Sequence, residues 1–255
     1  MDLGLKDRVY IVTGGTRGLG FATAQQLVAE GAKVIVSGRD DESAGAAADS
    51  LGTDSAEGVA ADNAAEDAAP RLIEAARRRF GRVDGVLVSV GGPPAGVPAD
   101  SISDEQWRDS FESVFLGAVR LARTAAAELG DGGVIGFVLS MSVYEPIPGL
   151  TISNGLRPGL NGFAKTLANE LGPRGIRVIG LAPGRIGTER MQYLDSVAGK
   201  GDGEAARSRN EQGIPLRRYG TPEEFGRTAA FLLSPAASYL TGITVPVDGG
   251  SRHSL

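Results

Sequence analysis

Short runs of β-branched residues, bounded by glycine or polar turns, alternate along this chain with longer alanine-rich stretches of helical period. A repeated alternation of that kind is buried best by βαβ units, in which parallel strands form a sheet with helices on both faces. The runs Val9–Val12, Val34–Ser37, Glu57–Ala60, Val86–Ser89, Val134–Leu139, Val178–Leu181 and Thr244–Val247 read as strands. Leu19–Glu30, Ala65–Phe80, Asp104–Leu129, Ser153–Leu171 and Pro222–Leu233 read as helices. The last has a well-marked start: Thr221 as cap, Pro222 at the first helical position, and Glu223 and Glu224 in the first turn. No linker or low-complexity tract divides the chain, so one doubly wound α/β domain over 1–255, with a seven-stranded, mostly parallel sheet, is expected. Met191–Gly213 breaks the texture, being polar, charged and glycine-containing. A substrate-side lid, spanning 188–215 and built as an irregular loop, is the expectation there; a surface excursion is the alternative.

Composition removes several chemistries. Without cysteine and with one histidine, His253, the chain has no disulfide, no Cys/His metal site and no Ser-His-Asp nucleophile. A formal charge of −5 argues against a nucleic-acid partner. No apolar run approaches a membrane span, which needs about 18 residues, and Met1-Asp2-Leu3-Gly4 lacks the regions of a signal peptide, so a cytoplasmic protein is expected. Catalysis is left to hydroxyls, carboxylates, arginines, four lysines or a bound cofactor.

The first strand runs into Thr13-Gly14-Gly15-Thr16-Arg17-Gly18-Leu19-Gly20 and then directly into a helix. Glycines at 14, 18 and 20 permit a tight turn and let a pyrophosphate approach the helix N-terminus. At the first strand-to-helix crossover of an alternating chain, this motif indicates a Rossmann-type dinucleotide site. A closed eightfold barrel fits poorly, since its phosphate site follows the seventh and eighth strands. After the second strand, an acid would hold the ribose 2′-hydroxyl of NAD, whereas arginine suits a 2′-phosphate. Gly38 stands where the acid would be and Arg39 follows, with Arg17 inside the turn. NADP(H) is therefore favoured over NAD(H), with Asp40 and Asp41 as the countervailing residues.

These motifs resemble the short-chain dehydrogenase/reductase family over nearly the whole chain. The family's Thr-Gly-x-x-x-Gly-x-Gly is matched by Thr13–Gly20, its adenine-contacting Asp by Asp62 followed by Asn63, and its Pro-Gly-x-x-x-Thr by Pro183-Gly184-Arg185-Ile186-Gly187-Thr188. Its C-terminal strand and turn are matched by Tyr239–Gly250. The resemblance implies cofactor binding by Gly14, Thr16, Arg17, Gly18, Leu19, Gly20, Arg39, Asp62, Asn63, Pro183, Gly184, Ile186 and Thr188, a small carbonyl or alcohol substrate, and a homotetramer or homodimer.

The family's Asn, Ser, Tyr and Lys are mostly absent. With the register taken from Gly162–Leu171, Ser153 stands at the Tyr position, Arg157 at the Lys position, Ser140 at the Ser position and Val114 at the Asn position. Ser89-Val90-Gly91-Gly92-Pro93-Pro94 replaces the Asn-Asn-Ala-Gly turn. Lys6, Lys33 and Lys200 lie elsewhere, and Lys165, eight residues beyond Arg157, is rotated by about 80° on the helix. The pattern resembles a divergent branch carrying Ser-Asn-x-x-Arg.

A serine is a weaker acid than a lysine-tuned tyrosine, and arginine holds charge but relays protons poorly. The candidate proton donors are Tyr144, four residues after Ser140, or a water held by Ser140 and Ser153. Tyr144 as a packing residue and Ser153 as the cap of a helix that accommodates Pro158 in its first turn are the structural alternatives. Arg157 with Arg185 at the pocket edge makes an oxo acid or oxoacyl group a candidate substrate. An NADPH-binding pseudoenzyme with a sensing or structural role is the competing function.

Overall fold

The computed structural model describes residues 1–253. Strands β1 (Val9–Val12), β2 (Lys33–Gly38), β3 (Ala56–Ala60), β4 (Gly85–Val88), β5 (Val134–Val138), β6 (Arg177–Pro183) and β7 (Ile243–Val247) form one parallel sheet in the order β3-β2-β1-β4-β5-β6-β7. The α-helices are α1 (Gly18–Ala29), α2 (Asp41–Leu51), α3 (Ala68–Phe80), α4 (Asp104–Ser110), α5 (Gly117–Glu128), α6 (Thr151–Leu171), α7 (Glu189–Ala198), α8 (Gly203–Gly213) and α9 (Pro222–Leu233).

Strand side chains alternate between faces, so one apolar run supplies two cores. In β1, Val9 and Ile11 join the cluster under α3, α5 and α6, with Leu72, Leu121 and Leu160. Tyr10 and Val12 join the opposite cluster under α1, α2 and α9, with Leu27, Ala48 and Phe225. Burial raises the Tyr10 phenol to about pKa 12, and its hydroxyl donates to Leu233 O at 3.2 Å.

That carbonyl is one of several left over where α9 ends. Arg177, buried in β6, donates to Leu232 O at 2.8 Å, Ser234 O at 2.9 Å and Leu240 O at 3.3 Å. A cation at a helix C-terminus also meets the negative end of the helix dipole.

Four expectations change. The 188–215 segment is not an irregular loop but two helices, α7 and α8, whose N-termini are capped by Thr188 and Asp202. Helix α6 begins two residues before Ser153, with Leu150 at its cap position, so Ser153 is not the cap. Pro158 consequently lies in the second turn, where it supplies no N–H to the Asn154 carbonyl. The helix read as Asp104–Leu129 is interrupted by a π-helical turn at Phe111–Leu116. Helix α2, not singled out in the sequence, is started by Asp40, whose side chain accepts from Ser43 N at 2.8 Å.

Replacing Arg177 by methionine leaves those α9 carbonyls without their donor. An unsatisfied buried acceptor costs about 1–3 kcal/mol, so a loss of roughly 2–4 kcal/mol in urea unfolding, at unchanged m value, is expected.

Candidate active site

Neighbouring β1 and β4 send the chain to opposite sides, since β2 and β3 lie beyond β1 while β5, β6 and β7 lie beyond β4. A crevice opens at such a reversal, beyond the C-terminal strand ends. The buried Thr13 hydroxyl pins its floor, donating to Ser89 O at 2.9 Å and accepting from Ser89 N at 3.0 Å.

The glycine turn follows at once. Gly14 and Gly18 have φ of +54° and +57°, and a Cβ on Gly20 would lie 2.3 Å from Gly14 O, which no side chain tolerates. A Cβ on Gly18 would lie 3.8 Å from Thr188 Cγ2, so the turn and the β6 loop adjoin at this end of the sheet. Helix α1 starts there with no side-chain cap and no acid in its first turn, which leaves its N–H groups to an anion. Cradle and helix end together fit a pyrophosphate.

Beyond the turn, a Cβ on Gly38 would meet Thr16 Cγ2 at 2.6 Å. No acidic side chain fits at 38 while Thr16 holds that position. Asp40 is occupied otherwise: hydrogen bonds from Ser43 N–H and Ser43 Oγ, each at 2.8 Å, lower its pKa while it caps α2. Arg39 is exposed, and Arg17 is paired with Glu189 of α7 at 2.9 Å across the cleft mouth. Asp62 is exposed and accepts from Ala64 N at 3.0 Å; Asn63 follows in the same turn. Leu19 packs at the edge of the α1–α9 core.

Across the cleft, Ser140 caps a short turn after β5, its Oγ accepting from Ser142 N at 3.1 Å. Ser153, buried in α6, has its Oγ 3.4 Å from Ser142 Oγ. One turn further along α6, Arg157 is 4% exposed and donates to Val138 O at 2.6 Å. Burial, with a contribution from the Arg190 charge, brings its pKa down to about 10. The Tyr144 hydroxyl donates to Thr244 O in β7 at 2.6 Å, and the Arg252 guanidinium lies 3.8 Å from its ring centroid. Burial raises the Tyr144 pKa. Its proton is thus directed at β7 rather than at the serine cluster.

The far wall is the β6 loop. Pro183 ends β6, Gly184 N donates to Val247 O at 2.9 Å, Ile186 is buried beside Gly220, and Thr188 Oγ1 accepts from Met191 N at 3.3 Å. Helices α7 and α8 are anchored by Asp195 of α7, which is 4% exposed. Its Oδ1 accepts from Tyr219 Oη at 2.9 Å and Asn210 Nδ2 at 3.0 Å, and pairs with Arg185 at 3.4 Å. Arg185 is therefore neutralised by Asp195 of α7 rather than left unpaired. Arg190 comes into play in its stead: half-buried, it donates to Pro93 O at 2.5 Å, tying α7 to the Gly-Gly-Pro-Pro turn.

Sequence reasoning missed Arg190, Ser142 and Asp195, and gave Asn154 no role beyond its place in the Ser-Asn-x-x-Arg pattern. Asn154 fastens the loop before α6 through Ile147 N at 3.0 Å and Ile147 O at 2.9 Å. For Arg190 a signal existed, two residues past Thr188; for Asp195 none did, because its partners come from three separate segments.

An open parallel sheet that reverses its order beneath an anion-receptive helix end defines the dinucleotide-binding class of α/β proteins. Residues 14–252 match the family model described as enoyl-(acyl carrier protein) reductase. The chain is 34% identical over 250 residues to the short-chain reductase protein NovJ of Streptomyces niveus, covering 96% of this chain and 94% of that protein. It is 34% identical over 255 residues to 3beta-hydroxysteroid dehydrogenase 1 of Eggerthella lenta, covering 96% and 94%. L-sorbose reductase of Gluconobacter frateurii, solved with NADPH and L-sorbose, superposes with a TM-score of 0.93 at 29% identity over the full length of both chains. The chain belongs to the short-chain dehydrogenase/reductase family and is an oxidoreductase. No helix among the described residues is long and apolar enough to cross a membrane.

Thr13→Val keeps the shape but strands both Ser89 backbone groups, at about 1–3 kcal/mol each. Lower stability together with weaker nucleotide binding is expected, read by thermal unfolding and fluorescence titration. Asp195→Ala removes the acceptor shared by Asn210, Tyr219 and Arg185; faster amide exchange across 189–213 with unchanged sheet protection is expected.

Proposed function

We propose that this chain is an NADP(H)-dependent carbonyl reductase or alcohol dehydrogenase with a modified acid-base set. The observation that carries the cofactor choice is the Thr16 methyl filling the space beside Gly38, where an acid would select NAD, with Arg39 next in sequence. The α1 N-terminus and Gly14, Gly18, Leu19 and Gly20 would hold the pyrophosphate, and Thr16, Arg17 and Arg39 the 2′-phosphate. Asp62 and Asn63 would hold the adenine, and Pro183, Gly184, Ile186 and Thr188 the nicotinamide end. Bound there, NADP(H) would supply hydride transfer to or from the carbon of a carbonyl–alcohol pair.

The chain's own part is the oxygen of that pair. Ser140 Oγ accepts from Ser142 N–H, which leaves its own proton free to donate to a substrate oxygen. Arg157 remains charged at neutral pH and stabilises negative charge developing on that oxygen. The commitment of the Tyr144 hydroxyl to Thr244 O favours, as the proton source, a water held by Ser140 and Ser153. Residues 188–215 serve as the lid that excludes bulk water from this step.

The test is titration with NADPH and NADH, followed by a carbonyl panel monitored by NADPH oxidation. Tight NADPH binding with turnover supports the proposal; binding without turnover across a broad panel indicates the pseudoenzyme, and no nucleotide binding refutes both. Arg39→Ala removes a charged hydrogen bond worth about 1.5–3 kcal/mol, so NADPH binding should weaken by roughly 10- to 100-fold with NADH binding unchanged. Ser140→Ala should lower kcat by about 10²-fold, whereas Tyr144→Phe should leave kcat within about twofold; a large loss in Tyr144→Phe would return the acid role to that residue.

A further inference from the structure

Two deeply buried arginines in this chain are treated differently by their surroundings. Arg177 faces three backbone carbonyls. Arg157 has one acceptor, Val138 O, for a group with five N–H donors. No carboxylate among the described residues pairs with it, although an uncompensated buried charge is strongly unfavourable.

A second guanidinium makes the imbalance larger. Arg190, half-buried and likewise without a carboxylate partner among the described residues, has its head group against the Gly92 backbone, where a Cβ would lie 2.7 Å from Nε. Its charge contributes to depressing the Arg157 pKa, so the two cations feel each other. Arg185, by contrast, is neutralised by Asp195.

We propose that Arg157 and Arg190 form a carboxylate-binding subsite, and that the substrate is a short oxo acid whose carboxylate lies within a few bonds of the reacting carbonyl. Planar forks with unused N–H donors match a carboxylate in geometry as well as charge. The distance along the substrate follows from the strand: Arg157 is bonded to Val138 at the end of β5, and Ser140, the residue assigned to the reacting oxygen, follows two positions later. An anion there satisfies the donors and separates two like charges by an opposite one. This inference rests on the proposed NADP(H)-dependent carbonyl chemistry of the same cleft.

The experiment compares kcat/KM for a panel of 2-oxo and 3-oxo acids with that for their uncharged amides, in wild type, Arg190→Met and Arg190→Lys, with NADPH saturating. Preference for an acid over its amide by about 100-fold or more, reduced at least tenfold in Arg190→Met and partly restored in Arg190→Lys, is expected. Malonate should compete with the oxo acid and raise the melting temperature of the NADP⁺-bound wild type but not of Arg190→Met. NADPH turnover of neutral carbonyls with no preference for acids, or a preference untouched in Arg190→Met, overturns the subsite and leaves the oxidoreductase reading standing. Malonate binding abolished by saturating NADP⁺ assigns the arginines to the cofactor and also overturns it. Failure of NADPH itself to bind refutes the underlying reading instead. Arg190 is chosen because it is only half-buried; Arg157→Met, at the more buried position, serves as a second variant if it folds.

Discussion

The Thr13 hydroxyl, donating to Ser89 O and accepting from Ser89 N, joins the tips of β1 and β4 where the sheet changes direction. Everything functional is built outward from that junction. Because β1 and β4 are held side by side, the turn after β1 and the turn after β4 face a common crevice. Gly14 lies against the Ser89 carbonyl, so the glycine turn is seated on this junction as well as folded on itself. The helix end that receives an anion, the serine cluster after β5 and the loop after β6 all take their positions from strand ends in register with these two.

Charge is distributed over this frame by one rule: where the fold needs an arginine it surrounds it with acceptors. Arg177 closes the end of α9 with three carbonyls, and Arg185 meets Asp195. Arg157 and Arg190 break the rule, and they do so on the cleft. A protein interior tolerates unpaired cations at a cost, and sites built to bind anions are where that cost has a return.

Helix α7 joins these parts. Helix α7 starts at the cleft mouth, where Glu189 meets Arg17 of the glycine turn and Arg190 meets Pro93 of the β4 turn. Its other end is held by the buried Asp195 cluster. The exposed Arg17–Glu189 pair contributes little stability, on the order of 0–1 kcal/mol. The buried Asp195 anchor therefore sets where α7 sits more than the exposed pair does.

By itself the sequence determined the seven strands, the long helices and the glycine turn after β1. The seven strands, the long helices and the Thr13–Gly20 turn carry their own local signals: apolar periods of two and 3.6, and glycines where a Cβ collides with neighbouring backbone. Helices α7 and α8 were not legible, since they are polar and short, and are held by capping and by the Asp195 cluster instead of a broad apolar face. Nor was the direction of a hydroxyl: Tyr144 is a plausible acid in sequence, and only the proximity of β7, 100 residues on, turns its proton toward Thr244. The tertiary structure also decided which arginine stands with Arg157. Arg185 and Arg190 flank Thr188 on either side in sequence, and the difference between them is a buried carboxylate, Asp195, that folding brings to Arg185 and not to Arg190.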